Sequence, residues 1–208
     1  MQIVEAGFEI VSPFYGAEML KRIEAAGRTC YKSEDKITAN SAQRFVKMII
    51  DRGHHSVLEH ESVSVRIVCD RGISHEIVRH RLASYSQEST RYCNYAKGGG
   101  EITFIMPEFE HEAPRALWRA AMETSELAYL TMVDKLGIPP QIARSVLPNS
   151  LKTEIVMTAN LREWRHFFKL RCAKAAHPQM RSLACKMLAE FQDHIRVVFD
   201  GLSEEVSP

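Results

Sequence analysis

This 208-residue chain is poor in several features that would have narrowed its class at once. Its five cysteines, at 30, 69, 93, 172 and 185, form no CxxC pair and are odd in number. That suits neither a disulfide framework nor a zinc site, so a reducing, cytoplasmic setting is expected. No apolar run approaches the ~20 residues that span a bilayer. The start, Met1-Gln2-Ile3-Val4-Glu5, has neither a basic n-region nor an apolar h-region. A net charge of only +1 is too small an excess for a broad nucleic-acid-binding face. There is no GxGxxG and no P-loop, so any dinucleotide is held by side chains and helix ends. Repeats, linkers and low-complexity segments are also missing. What is present, 45% hydrophobic and 25% charged residues, describes an ordinary globular protein with one substantial core.

The most informative stretch runs from Arg79-His80-Arg81 through Leu82-Ala83-Ser84-Tyr85-Ser86-Gln87-Glu88 to Ser89-Thr90-Arg91. Arginine forks suit phosphate, so an anion-binding site is one reading; a solvated helix end is the other. Placed on a helix, Arg79, His80 and Arg81 fan across ~200° of arc, which suits several partners around a shared cavity. The polar run that follows lacks helical periodicity and reads as a loop.

Along the chain, residues 2–13 suggest an initial strand, and residues 17–31 and 39–52 suggest packing helices, the second stopped by Gly53. Residues 62–69 alternate in polarity, with Val63, Val65 and Ile67 apolar, as a half-buried strand does. Ile73 to Arg81 reads as a short helix. His75 and His80 are five apart, not the four that a zincin motif needs, so a metalloprotease is rejected. His54, His55, His60 and Glu59 show no regular ligand spacing, and no metal is expected. Gly98-Gly99-Gly100 is a bend. A short strand is expected at 102–106, the longest helix at 113–136, and another strand at 151–158. Asn160 is a good N-cap for a helix through Trp164, Phe167, Phe168 and Leu170, which read as core. A last helix is expected over 179–200. Cys93 reads as a structural thiol.

Arg79-His80-Arg81, seven residues, Ser89 and then Arg91 resembles the signature of the flavin-dependent thymidylate synthases, the RHR-x7-S family. Three further segments are similar to that family in order. His54-His55-Ser56-Val57-Leu58-Glu59-His60 resembles its H-x-S/T-x-x-E-H element, and Ala143-Arg144-Ser145-Val146-Leu147-Pro148 its A-R-x-x-L-P segment. The Asn160-Leu161-Arg162 and His166-Phe167-Phe168-Lys169-Leu170-Arg171 run resembles its second block.

The resemblance implies an α+β fold, helices packed with a small, largely antiparallel sheet, as a single domain over 1–208 assembling into a homotetramer with sites at subunit junctions. It implies reductive methylation of deoxyuridylate (dUMP) to thymidylate, with 5,10-methylenetetrahydrofolate as carbon donor and FAD reduced by NADPH. His54, Ser56, Arg79, His80, Arg81, Gln87, Asn160, Arg162 and His166 would lie at the flavin. Glu76, Arg79, Gln87, Ser89, Thr90, Arg91, Arg144 and Arg171 would lie at the nucleotide. Arg171 would favour ionisation of the uracil as a fixed cation. Gln87 stands where many members carry Glu, His166 where many carry Asn, and Glu76 where some carry Gln. The rival readings are a non-catalytic nucleotide or phosphate sensor and an RNA-binding stripe of Arg171, Lys174 and Arg181, which the net charge discourages.

Overall fold

The computed structural model describes residues 1–97 and 101–202, so the glycine run at 98–100 lies outside the described residues. The fold is α+β, with a small, largely antiparallel sheet among helices. The chain forms two compact units whose segments alternate along the sequence. One holds Met1–Gly7, Ile67–Arg79 and Tyr85–Val156; the other holds Phe8–Arg66, His80–Ser84 and Met157–Pro208.

The strands are β1 (Gln2–Val4), β2 (Gly7–Ile10), β3 (Ser62–Asp70), β4 (Ala83–Gln87), β5 (Thr103–Ile105) and β6 (Lys152–Asn160). A four-stranded sheet has the order β2-β3-β6-β4, and β1 pairs parallel with β5. The single initial strand expected over 2–13 is therefore two short ones. In β3 the buried positions Val63, Val65, Ile67 and Cys69 alternate with more open ones, as the sequence pattern predicts. In β4 the polar run, read above as a loop, is a strand in which Ala83, Tyr85 and Gln87 are half-buried and Ser84 and Ser86 exposed.

The helices are α1 (Gly16–Tyr31), α2 (Ser41–Asp51), α3 (Arg71–Ile77), α4 (Glu112–Leu130), α5 (Pro140–Ala143), α6 (Leu161–Arg171) and α7 (Pro178–Phe199). Among the described residues α7, not α4, is the longest: α4 passes at Thr131 into a π-turn over Thr131–Lys135. Gly53 follows α2 with φ of 73°, the left-handed geometry its lack of a Cβ allows. α3 starts one residue after Asp70, whose side chain accepts from the Ile73 N–H at 2.8 Å. It ends at Ile77, so the fan expected for Arg79–Arg81 on a helix does not form; those residues lie beyond it.

In the unit containing α1, α2, α6 and α7, an aromatic cluster fills the centre. Trp164, Phe167, Phe168, Phe191 and Phe199 are all fully buried, and the Trp164 indole N–H donates to the Val63 carbonyl at 3.0 Å. Leu170, expected in this core, is instead exposed. Gly16 opens α1 against α7 so closely that a Cβ there would lie 1.9 Å from the His194 carbonyl oxygen. The other unit has its own core of Ile102, Phe104, Met122, Tyr129, Ala143 and Leu151.

Candidate active site

Asn160 ends β6 in extended geometry (φ −74°, ψ 165°), and its side-chain oxygen accepts from the Glu163 N–H at 2.9 Å, starting α6 where the sequence predicts. Because Trp164, Phe167 and Phe168 commit one face of α6 to the core, the opposite face carries Arg162, Arg165, His166 and Lys169. Their spacing of i, i+3, i+4 and i+7 places them in one stripe. With Asn160, Glu163, His55 and Glu59 they line a cleft of about 890 Å³. Arg162 Nη1 donates to Glu59 Oε1 at 2.6 Å in an exposed pair. A cationic stripe beside an open cleft of this size fits a bulky polyanion such as a dinucleotide.

His80 packs against two members of this group, Glu163 and His166. It is 4% exposed and packs against Phe167, ring centroids 4.9 Å apart, and edge-on to His166 at 5.7 Å. Its Nδ1 lies 3.2 Å from Glu163 Oε1, and Arg171 Nε donates to its Nε2 at 3.1 Å. An arginine Nε always carries hydrogen, so Nε2 of the ring must be bare and Nδ1 must bear the proton it gives to Glu163. Burial first, then the Arg171 and His166 charges, pull the His80 pKa down to about 4, which keeps the ring neutral. Burial pushes the Glu163 carboxyl above its usual range. The ligand-capable atoms of His80, Glu163 and His166 lie within 4.8 Å of one another. Yet the bare lone pair of His80 is already spent on Arg171, which is not how a metal-ligating imidazole is arranged.

A second group lies wholly within the other unit. Arg144 Nη1 donates to the buried Thr90 hydroxyl at 3.0 Å, and both line a concavity of about 580 Å³ together with Arg71. A guanidinium and a hydroxyl so joined suit a phosphate. Gln87 gives both amide hydrogens to hydroxyls, Ser74 at 2.9 Å and Thr153 at 3.2 Å. The Tyr95 hydroxyl donates to Glu88 Oε1 at 2.8 Å, and that carboxylate also takes Lys152, tying down the segment after β4. The Ser89 hydroxyl accepts from the Arg91 N–H at 3.3 Å, and Glu76 lies half-buried on α3.

The remaining sequence candidates are placed as follows. Arg79, Arg81 and Arg91 are exposed. His54 Nδ1 lies 3.1 Å from the Tyr31 hydroxyl, and Ser56 is exposed in the 3₁₀ segment His55–His60. It is His55 and Glu59 of that segment that line the cleft. Sequence reasoning also missed Arg165 and Lys169, although their helical spacing from Arg162 carried the signal. Glu163 gave none, since an acidic residue in a first helical turn is commonplace.

An α+β fold that carries a cationic cleft in one unit and an Arg144–Thr90 concavity in the other has the surfaces that phosphate-bearing ligands require. More particularly, the chain belongs to the family of the thymidylate synthase complementing protein, Thy1, whose model matches residues 15–195. A flavin-dependent thymidylate synthase of Geobacter sulfurreducens is 39% identical over 173 residues, 80% of this chain and 74% of the relative. One of Pyrococcus furiosus is 36% identical over 178 residues, 83% and 72% of the two chains. Among solved structures, the Helicobacter pylori Thymidylate Synthase X with FAD and dUMP matches with a TM-score of 0.80 at 20% identity, covering 96% of this chain and 99% of the other. The UMP/dUMP methylase PolB of Streptomyces cacaoi matches at 0.80 and 22% identity, covering both chains fully. At those identities the structural likeness speaks to the fold, which is the α+β class expected.

Proposed function

We propose that this chain is a flavin-dependent thymidylate synthase, converting dUMP to thymidylate with 5,10-methylenetetrahydrofolate as carbon donor, FAD as bound redox group and NADPH as reductant. One observation carries the reading: the RHR segment delivers His80 into buried contact with Arg171, the residue that closes the second family block. Among 36–39% identical relatives, the curated names agree on this activity.

When bound, FAD supplies hydride transfer, which no amino-acid side chain can. Arg162, with Arg165 and Lys169 on the same stripe, would offset its phosphate charge, and Asn160 and His166 would offer polar groups along the same cleft. Arg144 and Thr90 hold the nucleotide phosphate, with Ser89 and Arg91 beside them in sequence. Arg171, by the family resemblance, would supply the fixed cation that negative charge developing on a pyrimidine ring calls for, which lowers the barrier by preorganised electrostatics. No side chain here needs to attack the base. Cys172 is buried, and burial with the neighbouring Cys185 pushes its thiol up, the reverse of an activated nucleophile.

The working assembly is a homotetramer in the cytoplasm, with Arg79, Arg81 and Arg91, all exposed on the single chain, completing sites at subunit junctions. No described helix is long and apolar enough to cross a membrane. Purified protein should be yellow, bleach under NADPH without oxygen, and release tritium from C5-labelled dUMP when the folate is supplied. Colourless protein that cannot be reconstituted with FAD overturns the reading and favours a phosphate sensor.

A further inference from the structure

We infer that Glu163 is a positioning residue: through His80 it fixes the direction in which Arg171 presents its guanidinium to the substrate base. The inference rests on the proposed assignment of Arg171 to that base.

Three side chains form a directed chain, Glu163 carboxylate to His80 imidazole to Arg171 guanidinium, with separations of 3.2 and 3.1 Å. Glu163 and His80 are both almost fully buried, at 6% and 4% exposure. The direction follows from donor chemistry alone. Arg171 can only donate, so His80 must accept at Nε2, and its single proton must sit on Nδ1. In water a neutral imidazole favours neither arrangement strongly enough to be rigid; a buried carboxylate at Nδ1 makes the choice.

The intervening ring solves a charge problem. A carboxylate bonded directly to Arg171 would orient it equally well but would cancel the positive charge the reaction uses. A neutral imidazole orients the guanidinium without itself offsetting that charge, and the Glu163 anion sits one ring further away. The Asn160 cap fixes the Glu163 backbone, so the carboxylate starts from a rigid point. A glutamate at this third helical position ordinarily returns to the N-cap or simply faces the helix dipole, and either use is a matter of stability only. Here the side chain instead reaches His80, 83 residues away in sequence.

The test uses FAD-loaded full-length protein and compares Glu163→Ala with Glu163→Gln. Glutamine keeps an oxygen acceptor for Nδ1–H and loses only the charge. Glu163→Ala should lower kcat per bound flavin about 10²-fold, the scale of a catalytic group held slightly out of place, with KM for dUMP changed less than about threefold. Glu163→Gln should restore most of kcat. A purely dipolar or packing role predicts a shared loss of melting temperature with kcat per flavin intact, and that result overturns the inference. So does an alanine variant no slower than wild type, or a glutamine variant as slow as alanine. If alanine fails to fold, nitrogen-15 shifts of labelled His80 in the wild type decide: an Nδ1–H ring supports the chain and an Nε2–H ring overturns it. Should Arg171→Ala itself leave turnover intact, the assignment of Arg171 falls and this inference with it; Arg171→Ala impaired with Glu163→Ala unimpaired sinks the inference alone.

Discussion

Arg171 and His80, 91 residues apart in sequence, meet at 3.1 Å through a hydrogen bond that only an unprotonated imidazole can accept. Acid therefore works against the fold at this point. The His80 pKa falls from 6.5 to about 4 on folding, so between those values the unfolded chain takes up a proton that the folded chain refuses. Stability contributed here is full above pH 6.5, declines as pH falls toward about 4, and is level below it. The loss is on the order of 3 kcal/mol across the window. Thermal melts from pH 7 to pH 5 should show a steeper decline for the wild type than for His80→Gln, which has no ring to protonate. Parallel declines would refute the assignment.

Arg171→Ala should abolish most tritium release from C5-labelled dUMP, by about 10²–10³-fold, while the flavin stays bound and yellow. The separation of the two readouts matters, because the proposed reading assigns the cofactor to the α6 stripe that includes Arg162 and not to Arg171. Release at the wild-type rate would remove Arg171 from the chemistry.

Arg162 and Glu59 form a 2.6 Å pair with about half of each side chain exposed, so solvent screening leaves it worth at most about 1 kcal/mol. Arg162→Ala should thus shift the melting temperature of the FAD-free protein only slightly. Its FAD affinity, measured by fluorescence quenching, should fall about tenfold or more, as loss of a charge-assisted contact to a phosphate implies. A large fall in melting temperature without loss of FAD would make the arginine structural.

Gly16→Ala tests packing away from the site. Its new methyl would sit 1.9 Å from a backbone oxygen of α7, and backbone cannot swing aside as a side chain tip can. About 3 kcal/mol or more of destabilisation is expected, or a melting temperature lower by about 10 °C. An unchanged calorimetric trace would mean α1 and α7 are less tightly apposed.

Much of the scaffold could be read in advance where one force dominated locally. The alternation of Val63, Val65 and Ile67 announces β3, and Asn160 announces α6 because a short polar side chain can cap a helix. β4 escaped notice since both of its faces are largely polar: Tyr85 and Gln87 are drawn in by hydrogen bonds to Ile77, Ser74 and Thr153, not by hydrophobicity. α3 stops at Ile77 with no glycine or proline to mark it, so the helical fan of Arg79–Arg81 was not excluded by local sequence. For the candidate site, motif resemblance singled out His80, Arg144, Arg162 and Arg171, and each has a side-chain partner in the structure. Glu163 and His55 came into view only in three dimensions, because their roles depend on partners far away in the chain.

The alternation of segments between the two units bears on how the protein is made. Neither unit is a continuous stretch of polypeptide, so a ribosome must release residues up to Val156 before one can close and those from Met157 onward before the other can. The nascent chain consequently carries unpaired strands late into synthesis, a state that invites chaperones and disfavours rapid folding. For the same reason the two units cannot be expressed separately by a single cut in the coding sequence.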